Sequence, residues 1–366
     1  MKAIVLKQNL IEAINVVQKA VMAKAALPVL EGIYIEAEDN LKLIGNCYEL
    51  GIEYTVEADI QEKGSIVINA KIFGEMIRRL PDAPILIETL EGNRIRIECL
   101  NSLFEVKGLS AENYPLPPQA ENVEQITIKE TALRDIIKQT IFAIGNDENR
   151  KILTGALFEV SNGEVHIVAL DSFRMAVSNT VIKENNSFKV VIPGKNMNEI
   201  LRIFEASEEP VVVSLSGSLI FFDFKRCRIV SKTLDGEFMN YKSYIPPQYE
   251  TVIKVSTKEL ESSLERASLI TSDDRRFPVR FSIGEDTMII SSAAEVGLSK
   301  EEIRIENSGN NLHVGFNPKY FIDALKVISD EYIKISFNSS VGPCVITAEE
   351  HDKYLYLIVP VRLKNA

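Results

Sequence analysis

One segment of this 366-residue sequence recurs twice more, each time 124 residues further along the chain. INAKIFGEMIRRL begins at Ile68, IPGKNMNEILRIF at Ile192 and FNPKYFIDALKVI at Phe316. In each copy a lysine is followed by an acid four positions later and a base seven positions later, on one face of a helix. These triplets are Lys71, Glu75 and Arg78; Lys195, Glu199 and Arg202; and Lys319, Asp323 and Lys326. Other apolar residues of these helices, such as Ile72 and Met76, are expected to be buried. Because self-similarity at a fixed interval indicates repeated units, we predict three tandem copies of one fold.

A second amphipathic helix is predicted near the start of each copy. Its apolar stripes are Leu10, Ile14, Val17 and Val21; Leu133, Ile137, Ile141 and Ile144; and Leu260, Leu264 and Ala267. Asn9 with Glu12, and Ser256 with Glu259, have the spacing of capping boxes and predict where the first and third of these helices begin.

The rest of each copy alternates apolar and polar residues, as in FEVSNGEVHIVAL, which is typical of half-exposed antiparallel strands. Asn162–Gly163 predicts a tight hairpin turn in that stretch. The linkers Pro117–Gln119 and Pro246–Gln248 each contain two prolines, which interrupt regular structure. We therefore predict an α+β protein, three copies of a sheet with two helices, with domains at residues 1–118, 119–247 and 248–366.

The composition is that of an ordinary globular protein, 46% hydrophobic and 25% charged. No apolar run reaches the roughly 18 residues that a membrane helix needs, and the N-terminus lacks a signal-peptide pattern, so we expect no membrane partner and a cytoplasmic protein. The four cysteines and three histidines are scattered, so we expect neither a disulfide framework nor a metal site, and no cofactor.

The formal net charge of −11 argues against a protein that coats nucleic acid, unless positive charge is concentrated locally. Phosphate-binding and hydrolase motifs such as GxxxxGK[ST], GxGxxG, HExxH and GxSxG are also absent. Asp171–Ser172 could pair a carboxylate with a nucleophile, but no histidine is close in sequence. We predict no catalytic residues, while an enzyme of unknown α+β class stays an alternative.

Seven stretches, in order from one end of the chain to the other, resemble the β sliding clamp family of bacterial replicative DNA polymerase. They are LPVLEGI from Leu27, KILTGALFEV from Lys151, LDSFRMA from Leu170, VIPGKNMNEIL from Val191, LDGEFMNYKSYIPP from Leu234, GFNPKYFIDAL from Gly315 and LIVPVRL from Leu357. The resemblance implies a head-to-tail homodimer that closes a ring around duplex DNA, with helices lining the hole. It implies a processivity factor whose partners are double-stranded DNA, the replicative polymerase, the clamp loader and other proteins with short clamp-binding peptides.

In such a ring each triplet, with a formal charge of +1, would face the DNA together with basic residues that follow the other helices. The predicted DNA-facing residues are Lys24, Lys71, Arg78, Arg150, Lys151, Lys195, Arg202, Arg275, Arg276, Lys319 and Lys326. Contacts to phosphate carry no sequence information, and a weakly basic lining suits sliding.

The family also implies a client cleft, a hydrophobic site at the junction of the second and third domains that docks short peptides. The matching residues are Leu153, Leu170, Ser172, Phe173, Arg174, Met175, Met239, Tyr244, Tyr320, Val341, Pro343, Leu357, Val359, Pro360, Val361, Arg362 and Leu363. Arg174 stands where the first copy has Glu49, which indicates a specialised middle copy, although the apolar members could simply be core.

By the same resemblance, Phe104 and Val106 on an edge strand would meet Leu269 and Ile270 of the partner across the dimer interface. Two features depart from the family: Met239 replaces a usual proline, and Lys364–Ala366 follow the usual final residues. The main alternative is a repair-associated DNA-binding protein with the same repeat but no closed ring.

Overall fold

The structure, a computed structural model, describes residues 1–121, 123–270 and 278–362. Its helices are α1 (Lys7–Val17), α2 (Ala70–Arg79), α3 (Glu130–Lys138), α4 (Gly194–Ile203), α5 (Thr257–Ser268) and α6 (Pro318–Leu325). Helices α2, α4 and α6 begin at residues 70, 194 and 318, so each starts 124 residues after the last. The predicted three-copy α+β fold, with two helices in each copy, is confirmed.

Strands make up most of the remaining chain. In the first copy they are β1 (Lys2–Leu6), β2 (Gly32–Ala37), β3 (Leu41–Asn46), β4 (Leu50–Val56), β5 (Ala58–Glu62), β6 (Gly64–Asn69), β7 (Pro84–Leu90), β8 (Arg94–Cys99) and β9 (Ser102–Lys107). In the second they are β10 (Glu124–Lys129), β11 (Gly155–Ser161), β12 (Glu164–Leu170), β13 (Arg174–Val181), β14 (Phe188–Pro193), β15 (Pro210–Ser216), β16 (Leu219–Phe224) and β17 (Cys227–Lys232). In the third they are β18 (Thr251–Ser256), β19 (Val279–Ile283), β20 (Thr287–Ala294), β21 (Gly297–Arg304), β22 (Glu306–Gly309), β23 (Leu312–Phe316), β24 (Tyr332–Phe337), β25 (Cys344–Ala348) and β26 (Tyr354–Ile358).

The chain divides into two compact units, of which the first comprises residues 1–131 and 202–233. It contains a five-stranded antiparallel sheet, β5-β1-β7-β8-β9, and an eight-stranded sheet, β10-β15-β16-β17-β4-β3-β2-β6. The larger sheet joins two copies of the repeat, because β17 pairs with β4 from Cys227 opposite Tyr54 to Ser231 opposite Leu50. Helix α1 buries Leu10, Ile14 and Val17 as predicted and packs on α2 and β4.

The second unit comprises residues 132–201 and 234–366. Its nine-stranded sheet, β14-β11-β12-β13-β26-β25-β24-β18-β22, again joins two copies, here through the pairing of β13 with β26. A four-stranded sheet, β21-β20-β19-β23, completes it, and α5 packs on α6. The boundaries predicted after residues 118 and 247 fall outside helices and strands, and they remain a prediction.

Local sequence signals explain several element ends. The Ser256 side chain accepts a hydrogen bond from the Glu259 amide, which confirms the predicted cap of α5. Asn162 and Gly163 both have positive φ, 55° and 76°, and join β11 to β12 in the predicted tight turn.

Two local predictions were wrong. Helix α1 starts at Lys7 with Leu6 as its N-cap, so Asn9 lies inside the helix and caps nothing. The predicted apolar stripes also extended past the helix ends, because α1 ends before Val21 and α3 ends before Ile141 and Ile144. The sequence pattern continued through short 3-10 turns that close each helix.

In the described part of the chain, no helix is both long enough and apolar enough to cross a membrane.

Candidate functional site

The first two repeated triplets present their basic residues to solvent. Lys71 and Arg78 are exposed on α2, as are Lys195 and Arg202 on α4. The opposite face of α2 buries Phe73 and Ile77 in the first unit, so the helix is fixed with its charged side outward.

One neighbour on α2 departs from expectation. Ile72 was predicted to be buried, but half of its surface, 51%, is exposed, whereas Met76 is buried. Ile72 follows Lys71 directly in sequence, and a step of one residue rotates the side chain only about 100° around a helix, which leaves it at the edge of the exposed face.

The third triplet is engaged in ion pairs. Lys319 Nζ lies 3.0 Å from Asp323 Oδ2, and Lys326 Nζ lies 3.3 Å from Glu265 Oε1 on α5. The formal charge of this face is therefore balanced by a neighbouring acid, a contact that the spacing within the triplet could not reveal.

The other predicted DNA-facing residues lie in loops and short 3-10 turns. Lys24, Arg150 and Lys151 are exposed. Arg150 donates a hydrogen bond from Nη1 to the Ser172 hydroxyl at 3.2 Å, which links a predicted DNA-facing residue to a predicted cleft residue. Arg275 and Arg276 lie outside the described residues.

A buried apolar cluster in the second unit contains four of the predicted cleft residues. Leu153, Leu170, Met175 and Leu357 each keep only 4% or 5% of their surface exposed. The same cluster includes Phe238, Tyr241 and Val345, with Ile245 and Tyr249 packed against it. These four residues form a floor that is mostly covered by the protein itself.

The sheet brings the two halves of this site together. Strand β13 pairs with β26 so that Arg174 lies opposite Ile358 and Met175 opposite Leu357. Beyond the strand end, the Val359 amide donates to the Phe173 carbonyl oxygen at 2.8 Å, and the Val361 amide donates to Gly315 at 2.8 Å.

The other predicted cleft residues in the described part of the chain are less buried. Phe173, Met239, Tyr244, Val341, Val359 and Arg362 are exposed, while Tyr320, Pro343, Pro360 and Val361 are intermediate. The Phe173 and Tyr320 rings stack with centroids 6.0 Å apart. Leu363 lies outside the described residues. A buried apolar cluster with exposed aromatic and aliphatic residues on the neighbouring chain segments suits short apolar anchors.

Arg174 is the charged group at the edge of this site. Its Nε lies 3.1 Å from Asp171 Oδ2, and its Nη1 lies 2.6 Å from Asp323 Oδ2. The guanidinium also lies over the Tyr320 ring, 4.9 Å from the centroid. Asp171 and Asp323 were missed as members of the site, because their contact with Arg174 depends on tertiary packing.

The alternative for Asp171–Ser172, a nucleophile pair, does not match the hydrogen bonds. Asp171 Oδ1 accepts from the backbone amides of Phe173 and Arg174, and Oδ2 accepts from the Arg174 side chain. The Ser172 hydroxyl accepts from Arg150. Asp171 thus shapes the turn and orients Arg174.

A groove of about 750 Å³ adjoins the cleft residues in the second unit. Its lining includes Arg174, Lys195, Lys319 and Asp323, so it combines members of both predicted sets.

The predicted dimer contacts lie on the edge strand β9 in the first unit and directly after α5 in the second. Strand β9 pairs only with β8 within the described chain, and it carries Phe104, which is exposed, and Val106, which is intermediate. In the second unit Leu269, just after α5, is 71% exposed and Ile270 is intermediate.

Sequence reasoning missed two further exposed leucines on sheet edges, Leu103 on β9 and Leu298 on β21, which is 77% exposed. Strand β21 is also an edge, since β20 is its neighbour in the sheet. Leu298 stands alone in the polar run GLSKEE, and an isolated apolar residue in such a strand is the signal that could have found it.

Sequence models of three domains of one protein family match this chain. The N-terminal domain of the DNA polymerase III beta subunit matches residues 1–118, the central domain residues 127–240 and the C-terminal domain residues 242–362.

Individual relatives match over the whole length. The beta sliding clamp of Bacillus subtilis strain 168 is 34% identical, over 99% of this chain and 100% of the relative. The crystal structure of the Bacillus subtilis DNA polymerase sliding clamp superposes with a TM-score of 0.96 at 32% identity, covering 100% of both chains. A putative DNA polymerase III beta subunit from Eubacterium rectale has a TM-score of 0.95 at 35% identity, covering 99% of this chain and 100% of the other.

Proposed function

This chain belongs to the DNA polymerase III beta subunit family and is a sliding clamp, a processivity factor rather than an enzyme, and we propose that it works as a head-to-tail homodimeric ring around duplex DNA. In this proposal the ring tethers the replicative polymerase, is placed on DNA by the clamp loader, and receives other clients through short peptides. Bacterial chromosomes lie in the cytoplasm, so the proposal places the protein there.

The observation that carries the proposal is the repeated exposure of basic residues in a chain of net charge −11. The nine predicted DNA-facing residues that lie in the described ranges are all exposed, on helices and loops that recur through the three copies. A few basic residues on an acidic protein favour weak, sequence-independent contacts with phosphate, and such contacts allow movement along DNA.

Helix dimensions support a dimer. Twelve helices side by side at a spacing of about 9 Å form a circle of axes roughly 34 Å across. Subtracting one helix diameter of about 10 Å leaves roughly 24 Å, which admits a duplex about 20 Å wide. The six helices of one chain leave only about 7 Å by the same estimate.

The proposed dimer contact brings β9 of one protomer to the third copy of its partner. Apolar residues on an unpaired strand edge favour addition of another strand. Phe104 and Val106 would face Leu269 and Ile270, and we infer that Leu298 on the β21 edge extends the same contact.

Size in solution tests the interface. The wild type should scatter light as a dimer of about 82 kDa, twice the 41.0 kDa of one chain. Leu269→Asp with Ile270→Asp should give monomers, because charges in an apolar interface are left without partners on association. Val181→Asp, at an equally exposed apolar position, serves as the control and should remain dimeric. A dimer that survives the double substitution contradicts this interface.

The proposed client cleft uses Leu170, Met175, Leu357 and Val359 to bury leucine and phenylalanine anchors of a peptide. Arg174 and the backbone beside Pro360 would orient its polar end. Anchors of this kind typically contribute about 2 kcal/mol or more each, so truncating one costs roughly thirtyfold in affinity.

Truncation tests the cleft separately from the ring. Deleting Val359–Ala366 removes one wall and its hydrogen bonds to Phe173 and Gly315, so we expect a dimer that no longer binds polymerase-derived peptide in calorimetry. The shorter deletion of Lys364–Ala366 is the matched control and should bind peptide. Normal binding after the longer deletion would show that the cleft assignment is wrong, even if the ring is correct.

A further inference from the structure

Asp323 lies where the two proposed sites meet. By the 124-residue repeat it is the acid of the third DNA-facing triplet, equivalent to Glu75 and Glu199. Glu75 is exposed on α2, whereas the side chain of Asp323 is only 21% exposed and is in contact with two cations. Its Oδ2 lies 3.0 Å from Lys319 Nζ and 2.6 Å from Arg174 Nη1.

Asp323 makes the shorter of the two carboxylate contacts that hold Arg174. The Arg174 side chain is 11% exposed, and the second carboxylate that it contacts, Asp171, already accepts from two backbone amides and from Arg174 Nε. Removing the Asp323 charge therefore deprives Nη1 of a largely buried cation of its shortest ion pair. A charge left in this condition reorients or draws in solvent.

The pairing belongs to one junction of the repeat. At the interval of 124 the equivalent residues of the first and second copies are Leu50 and Glu199, which cannot form this ion pair. The match of Arg174 to Glu49 drawn from the sequence was one residue out, because β13 begins at Arg174 where β4 begins at Leu50. The arginine on β13 and the short carboxylate on α6 therefore occur together, at the cleft that is proposed to bind clients.

We propose that Asp323 is a positioning residue shared by the two sites, an inference that rests on the proposed function. It fixes the Arg174 guanidinium for the client peptide, and it holds Lys319 back from DNA phosphate by pairing with its ammonium group. One carboxylate thus strengthens client binding and weakens DNA contact at the same place on the protein.

The two roles predict opposite effects of Asp323→Asn. Peptide affinity should fall about fivefold or more, because Arg174 loses its fixed orientation. Affinity for linear duplex should rise, and its dependence on salt should steepen by about one phosphate contact, because Lys319 is released. Glu75→Gln changes the net charge equally on α2 but touches neither Arg174 nor Lys319, so it should leave peptide affinity within twofold of wild type.

Lys319→Met separates the roles. The single substitution Lys319→Met keeps the Asp323–Arg174 ion pair, so peptide affinity should stay within twofold of wild type. Combined with Asp323→Asn it should abolish the gain in duplex affinity while the loss of peptide affinity persists. A role for Asp323 in folding alone does not predict this separation, since it would weaken both activities together.

The experiment uses the full-length protein and two probes. One is a synthetic eight-residue peptide with a leucine and a phenylalanine anchor, followed by calorimetry; the other is a linear duplex of about 30 base pairs, followed by anisotropy across a salt series. The wild type must first bind the peptide, and deletion of Val359–Ala366 must abolish that binding. If either result fails, the cleft assignment is wrong and this inference fails with it. With that binding established, equal peptide affinity of Asp323→Asn and Glu75→Gln overturns the inference alone.

Asp323→Glu keeps the test decisive if Asp323→Asn folds poorly. The longer side chain retains the carboxylate, so peptide affinity should return to within about threefold of wild type. Binding by Asp323→Glu that is fivefold or more below wild type, in a protein with the wild-type melting temperature, contradicts the proposal.

Discussion

At the level of single residues, burial determines the chemistry of the thiols. Cys99, Cys227 and Cys344 are buried, and Cys47 is intermediate. Burial raises the pKa of the Cys227 and Cys344 thiols far above their ordinary value, so almost no reactive thiolate forms at these positions near neutral pH.

We expect Cys47 to react first with iodoacetamide at pH 8, while Cys227 and Cys344 react only after unfolding in urea. Mass spectrometry of tryptic peptides over time measures this order. Cys47→Ser should remove the fast reaction, and rapid labelling of Cys344 in the native protein would contradict the buried position of β25.

Glu53 on β4 gives a prediction about pH. Burial raises the pKa of its carboxyl group, and Lys42 and Arg228 oppose that shift. Because the folded pKa lies above the unfolded one, the folded state holds the proton more tightly. The resulting contribution to stability is present at acidic pH and is lost as pH rises through the folded pKa.

Glu53→Gln should therefore increase the free energy of unfolding modestly at pH 8 and change it little at pH 4. Urea denaturation at the two pH values measures the difference. Glu62→Gln, at an exposed position on β5, is the control, and its effect on the free energy of unfolding should be the same at pH 4 and pH 8. An equal effect of Glu53→Gln at pH 4 and pH 8 would rule out titration of Glu53 as the cause.

At the level of elements, side-chain caps fix the start of two of the three repeated helices. Asn69 accepts from the Ile72 amide at the start of α2, and Asn317 accepts from the Lys319 amide at the start of α6. The equivalent residue of the second copy is Pro193, which has no side-chain acceptor.

Asn69→Ala should lower the free energy of unfolding by about 1 kcal/mol, because one amide at the helix start loses its acceptor. Asn69→Asp keeps a side-chain oxygen at the same place, so it should lower the free energy of unfolding much less. Chemical denaturation compares the two, and equal losses would show that the cap does not stabilise α2.

The sequence predicted elements well where the signal was local. The Ser256 cap and the Asn162–Gly163 turn were predicted correctly, because a cap or a hairpin turn depends on residues only a few positions apart. The prediction of Asn9 as a helix cap was wrong although its spacing to Glu12 fitted a capping box, because the preceding strand runs directly into the helix at Lys7. The predicted burial of Ile72 was wrong because periodicity does not locate the edge of a buried helix face.

The candidate site was predictable in its members and not in its contacts. The residues near 170 and near 357 were identified from resemblance, while the pairing of β13 with β26 that joins them involves residues about 180 positions apart. The Arg174–Asp323 contact and the Lys326–Glu265 pair arise from the same packing. Charge order along one helix cannot indicate which partner each charge meets.

For the whole molecule, the repeat predicted three copies, and the structure adds that the large sheets are shared between copies. Strands β4 and β17, and likewise β13 and β26, continue one sheet from one copy into the next. Each compact unit therefore contains parts of two copies, an arrangement that a period along the sequence does not reveal.

Retention on DNA tests the central claim most directly. The protein is placed on a nicked circular plasmid with a clamp loader, separated from free protein by gel filtration, and measured before and after the plasmid is cut once. Because a ring is held by topology rather than by affinity, we expect stable association with the circle and rapid release from the linear product, with weak and salt-sensitive binding of linear duplex alone. Equal retention on circular and linear DNA, or sequence-specific binding to a linear fragment at physiological salt, would contradict the sliding ring.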